Sequence, residues 1–115
     1  MHAQDQETQQ LKKLSQEYTL LLMVVDGCRF CKIFIPTVEQ FARDYGFQVQ
    51  AVGNMDPSKI PFPIVQSHKL TNDIEIQGYP ALFLVDTNQK QMWLLAPGQV
   101  SLSWLKKNAV DWSHK

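Results

Sequence analysis

The residues whose type and spacing promise chemistry are Cys28 and Cys31, the two cysteines of the chain, set three positions apart. A structural cross-link stabilises chiefly by closing a long loop, so a bridge across two intervening residues is a poor staple. The same spacing suits exchange chemistry between the two sulfurs. Zinc would need about four ligands, and beyond the cysteines only His2, His68 and His114 are available, two of them at the chain ends. Haem attachment requires a histidine directly after the second cysteine, and Lys32 stands there. Two ordinary buried thiols, or an inert disulfide, stay open on spacing alone.

What must position the pair is legible on either side of it. Tyr18 to Val25 is aliphatic and β-branched with almost no polar break, the pattern of a central strand buried on both faces. Asp26-Gly27 breaks it. From Arg29 to Tyr45, apolar residues recur at Phe30, Ile33, Phe34, Val38, Phe41 and Ala42, close to helical period. Gly46 follows as a cap, and Pro36 falls inside the helix, where it removes a hydrogen bond and predicts a kink. Cys28 thus falls at a helix N-terminus, where unsatisfied N–H groups and the positive end of the macrodipole favour a thiolate, the attacking species in exchange. Cys31, one turn in, is the resolving thiol. Arg29 adds a cation beside the nucleophile and Phe30 adds bulk and partial desolvation. The charge carries more weight, and it stabilises the reduced form, making the pair a stronger oxidant.

The remaining elements complete an α/β order of helix, strand, helix, strand, helix, strand, strand, helix. Residues 1–17 form a polar, glutamine-rich arm running into a first helix with Leu11 and Leu14 as its apolar stripe, ahead of a domain spanning 18–115. Phe47 to Val52 alternates like a half-buried strand, Asn54 to Pro63 is a proline-rich loop, and Ile64 to Leu70 predicts a short helix ended by Thr71-Asn72-Asp73. Ala81–Val85 and Gln91–Leu95 form a hairpin around Asp86-Thr87-Asn88-Gln89. A closing helix runs from about Val100 to Trp112. This order implies a mixed sheet with helices on both faces. The working site of such a sheet lies at the carboxyl ends of its strands, and Cys28 is just past the central one.

At 115 residues and 44% hydrophobic content, one core and a single domain are expected. Net charge is zero and the eleven basic residues are scattered, so no nucleic-acid or anionic-lipid footprint is present. The longest apolar run, Leu20 to Val25, is far short of the roughly 20 residues of a spanning helix, and no membrane insertion is expected. Met1-His2-Ala3-Gln4 lacks a basic or apolar leader. The protein is therefore either cytoplasmic or a form whose exporting segment has been removed.

Beyond the cysteines, the sequence resembles the thioredoxin-like superfamily, in which Cys-x-x-Cys opens a helix with a proline five residues after the second cysteine. Cys28-Arg29-Phe30-Cys31 and Pro36 match that spacing. A second element of the superfamily, a cis-proline loop facing the disulfide, resembles Ile76-Gln77-Gly78-Tyr79-Pro80 and the apolar strand Ala81-Leu82-Phe83-Leu84-Val85. The resemblance implies a thioredoxin-like fold with a central mixed sheet flanked by helices. It also implies a cis bond before Pro80, a substrate groove bordered by Tyr79 and Pro80, and no metal or organic cofactor.

Departures are informative too. Gly27 stands where cytoplasmic thioredoxins have an aromatic residue. The superfamily's buried acid and its lysine partner are replaced, by the same alignment, with Leu22 and Val52. Losing both is coherent, because either alone would be an unpaired buried charge. With the Pro61-Phe62-Pro63 insert, the chain resembles the TraF/TrbB group of bacterial conjugative-transfer proteins. That resemblance implies a periplasmic oxidase or isomerase acting on thiols and disulfides of envelope and pilus-assembly proteins, with a membrane redox partner. A general thioredoxin-like reductase, or a non-catalytic assembly module of the same fold, is the alternative. Trp93, Trp104 and Trp112 are expected to be packing residues, His68 a solvated one, and Asp26 either a turn residue or a local proton acceptor.

Overall fold

The computed structural model describes residues 2–66 and 78–113, and its centre is β1 (Thr19–Val25). This strand pairs in parallel with β2 (Val49–Asn54) and antiparallel with β4 (Ala81–Asp86). Outside them lie β3 (Ile64–Gln66), parallel to β2, and β5 (Gln91–Ala96), antiparallel to β4, giving the order β3-β2-β1-β4-β5. The run read as a central strand therefore has neighbours on both edges, which is why it lacks polar breaks.

Three helices are described: α1 (His2–Glu17), α2 (Arg29–Tyr45) and α3 (Leu102–Ser113). Strand alternation sends Leu20, Leu22 and Val24 to one face, where they join Leu11 and Leu14 of α1, Phe34 and Val38 of α2, and Leu105 and Ala109 of α3 in one cluster. Met23, Ala81 and Phe83 form a smaller cluster on the other face. Among the described residues, all three helices lie on the first face, where the order of elements predicts helices on both.

Several expectations shift. The glutamine-rich arm is itself helical from His2, in keeping with the good helix propensity of Gln, Glu and Lys. Residues 64–66, expected to open a short helix, are strand: Ala51 N–H donates to the Pro63 carbonyl at 2.8 Å, leading the chain onto the edge of β2. The rest of that expected helix, with His68, Thr71, Asn72 and Asp73, lies outside the described residues, as do Ile76 and Gln77. β2 starts two residues later than its alternation predicts, because Phe47 finishes α2. Its N–H and that of Gly46 both donate to the Ala42 carbonyl, and its ring stacks on Phe41 at 5.2 Å. The hairpin and the closing helix match expectation, with Asp86 accepting from the N–H groups of Asn88 and Gln89, and Ser101 Oγ accepting from Trp104 N–H.

Candidate active site

β1 delivers the chain to the site through a short, well-held corner. Asp26 N–H donates to the Asn54 carbonyl at 2.6 Å, extending the β1–β2 pairing one step. Gly27 then turns at φ +76°, a left-handed conformation that an aromatic residue would adopt only with strain. Cys28, extended at φ −88° and ψ 109°, is the N-cap of α2.

Cys28 and Cys31 are joined in a disulfide, with Cα atoms 5.2 Å apart. Cys28 Sγ accepts a hydrogen bond from Cys31 N–H at 3.1 Å, so the sulfur occupies the place of a capping oxygen at a helix N-terminus. Cys31 is fully buried and Cys28 half-buried. The two sulfurs are therefore unequal, and only Cys28 is open to attack from outside. Arg29 is exposed, and Phe30 and Ile33 are 55% and 45% exposed. Phe30, expected to add bulk and partial desolvation, thus stands out beside the pair with more than half of its surface exposed.

The Tyr79–Pro80 peptide bond is cis. Met23 pairs with Ala81, and continuing that antiparallel register sets Pro80 beside Val24 and Tyr79 beside Val25. The topology thus brings this loop to the strand end that delivers Cys28. Pro80 is fully buried and Tyr79 half-buried, packed against both apolar clusters.

Beneath the pair the floor is apolar. Leu22 is fully buried, and no polar or charged side chain is buried among the described residues. The register corrects one detail. Leu22 faces Ala51, while Val52 pairs with Met23 and points to the opposite face, so a partner for an acid at position 22 would sit at Ala51. Both are apolar, and no ion pair replaces the superfamily's.

Sequence reasoning missed the ground on the β2 side of α2. Asp26 meets Lys59 at 3.7 Å, and with Lys32, Ile35 and Met55 they border a cleft of about 290 Å³. The turn bearing Lys59, Pro57–Lys59, is capped by Asp56, whose carboxylate accepts from Ser58 N–H and hydroxyl at 3.0 and 2.9 Å. Those bonds, helped by Lys59 and opposed by slight desolvation, hold Asp56 below its usual carboxyl value. Only the sequence Asp56-Pro57-Ser58 hinted at this capped turn. Tyr18, Trp93 and Trp112 gather at the other end of β1 from the disulfide.

The model of the TraF family, described as an F plasmid transfer operon protein, matches residues 2–110. Among curated protein sequences, none matches the chain significantly. A putative thioredoxin from Neisseria meningitidis superposes with a TM-score of 0.59 at 22% identity, covering 88% of this chain and 77% of that one. The thioredoxin domain of a thiol-disulfide oxidoreductase from Bacteroides vulgatus gives 0.57 at 16% identity, over 90% and 84%. A thioredoxin-related protein from Neisseria meningitidis serogroup B gives 0.56 at 11% identity, over 85% of each chain. The fold is thioredoxin-like.

Proposed function

The chain belongs to the TraF family, and from that premise we propose that it is a periplasmic thiol-disulfide oxidoreductase, an oxidase or isomerase of proteins in the cell envelope and transfer apparatus. The observation that carries the proposal is the inequality of the two sulfurs: a half-buried Cys28 capping α2 and a fully buried Cys31 behind it.

In the oxidising direction, a substrate thiolate attacks Cys28 Sγ. The Cys28–Cys31 bond breaks, its electron pair leaves on Cys31, and Cys31 takes a proton. A second substrate thiolate then attacks the substrate sulfur of the mixed disulfide and expels Cys28 as a thiolate, which the Cys31 N–H is placed to receive. Two substrate thiols are oxidised and the protein pair is reduced. Run from the reduced pair, the Cys28 thiolate opens a wrong substrate disulfide, the released substrate thiolate attacks another substrate disulfide, and the thiolate freed there attacks the mixed disulfide and expels Cys28, which is isomerisation. Tyr79 and Pro80 border the groove along which the substrate backbone pairs like an added strand. A membrane redox protein is the proposed partner that reoxidises the pair.

Cys28→Ser abolishes oxidation of a reduced model protein, rescue of a scrambled one and reduction of insulin, while Cys31→Ser accumulates the mixed disulfide on Cys28. A reduction potential nearer to about −120 mV than to about −270 mV marks the oxidant, and a value at the lower end overturns it in favour of a reductase. Cell fractionation recovers the natural gene product with the periplasm, and recovery in the cytosol overturns that compartment. The assembly-module alternative draws on the apolar floor under Cys31, which offers no buried proton acceptor among the described residues. An undiminished Cys28→Ser in all three assays decides for it.

A further inference from the structure

The two flanks of α2 beside Cys31 differ. With 3.6 residues per turn, Phe30 and Ile33 fall on one side of Cys31, and Lys32, Ile35 and Pro36 on the other. On that second side the cleft of about 290 Å³ opens between α2 and the loop after β2, with Ile35, Pro36 and Met55 as its apolar wall. The charges around it are not all satisfied. Glu39 is held by Arg43 at 3.4 Å, Asp26 by Lys59 at 3.7 Å, and Asp56 by Ser58. Among the described residues, the Lys32 ammonium has no such partner. Arg29, exposed at the mouth of the site, adds a second positive charge.

We propose that this cleft is a substrate subsite for an acidic side chain next to the cysteine that exchanges with Cys28. The aliphatic stem lies against Ile35, Pro36 and Met55, and the carboxylate meets Lys32. Placement supports this directly. Lys32 follows Cys31, and its N–H donates to the Cys28 carbonyl at 3.3 Å, so the ammonium is carried by the turn that carries the disulfide. The cleft lies on the β2 side of that turn, whereas the Tyr79–Pro80 loop comes from the β4 side, so a substrate segment crossing the sulfurs is gripped on both. The subsite rests on the exchange function proposed above.

The test uses the oxidised full chain and three dithiol peptides, identical except for Glu, Gln or Lys beside the attacking cysteine. At low ionic strength the Glu peptide reacts roughly two- to fivefold faster than the Gln peptide, the range of an exposed ion pair, and the Lys peptide is slowest. Half-molar salt compresses the series. Lys32→Gln removes the ranking and Lys32→Glu inverts it, with the Gln peptide rate kept as the reference for intact exchange. Equal rates for the three peptides, or a ranking untouched at Lys32, overturn the subsite alone. A ranking lost equally in Arg29→Glu assigns the effect to general charge at the mouth and overturns the subsite too. No reaction with any peptide overturns the exchange function and the subsite together.

Discussion

Cys28 performs two tasks with one atom: its sulfur receives the Cys31 N–H at 3.1 Å and is also the half-buried end of the disulfide. In the reduced protein that N–H and the start of α2 favour negative charge on Cys28, and Arg29, exposed in the next position, adds to them. Arg29→Glu therefore moves the thiolate absorbance midpoint of Cys28 to higher pH and makes the reduction potential more negative. Phe30→Ala changes both less, since Phe30 is 55% exposed and desolvates little. An unchanged midpoint and potential in Arg29→Glu would show that the helix end alone sets the poise. At this scale the places of the cysteines, Gly27 and the Tyr79-Pro80 pair are legible in the sequence, because each is a residue type tied to a local backbone requirement. The Asp26–Lys59 contact is not, since it joins residues that only the β1–β2 pairing brings together.

Among the elements, β2 leaves no room for a side chain beside β1 at Gly53. Its φ is +147°, it pairs with Val24, and a Cβ built there would overlap the Val24 carbonyl. Gly53→Ala must either displace β2 or distort β1 just before the corner that leads to Cys28. Conformational strain alone costs about 1–3 kcal/mol, and the overlap adds to it. Urea denaturation should show a loss of at least that size, with slower exchange at Cys28 under native conditions, and unchanged stability would mean that β2 has room to shift. The same strand shows where pattern reading stops. Counting back from Cys28 gives Leu22 and alignment of Asn54-Met55-Asp56 gives Val52, yet which residue of β2 faces Leu22 depends on register, and register makes it Ala51. Ile64-Val65-Gln66 is equally ambiguous: three residues cannot display a period, and the edge of β2 decides for strand. Longer segments such as β1 and α2 carry enough period to be read directly.

Across the whole molecule, chemistry and anchorage sit at opposite ends of β1. Seven residues at about 3.3 Å each separate Cys28's end from Tyr18, whose ring packs edge-on against Trp93 and Trp112 at 5.7 and 5.1 Å. The three rings tie the end of α3 to β5 and to the start of β1. Trp112→Ala, which removes one half-buried ring, should cost about 2–4 kcal/mol in urea denaturation and leave the Cys28 exchange rate in native buffer unchanged; a matching loss of exchange would couple the two ends. The cluster also makes stability depend on alkaline pH. Burial raises the Tyr18 phenol above its usual 10.0, and the carboxylates of Asp86 and Glu17 push the same way. The folded state thus holds the Tyr18 proton more tightly than the unfolded state does. That contribution is complete below pH 10 and is lost as pH rises through the folded value. Wild type therefore loses stability above pH 10 more steeply than Tyr18→Phe, which keeps the ring and has no proton to lose. Urea midpoints measured between pH 8 and 11 check this, and parallel curves for the two proteins would place the alkaline loss elsewhere.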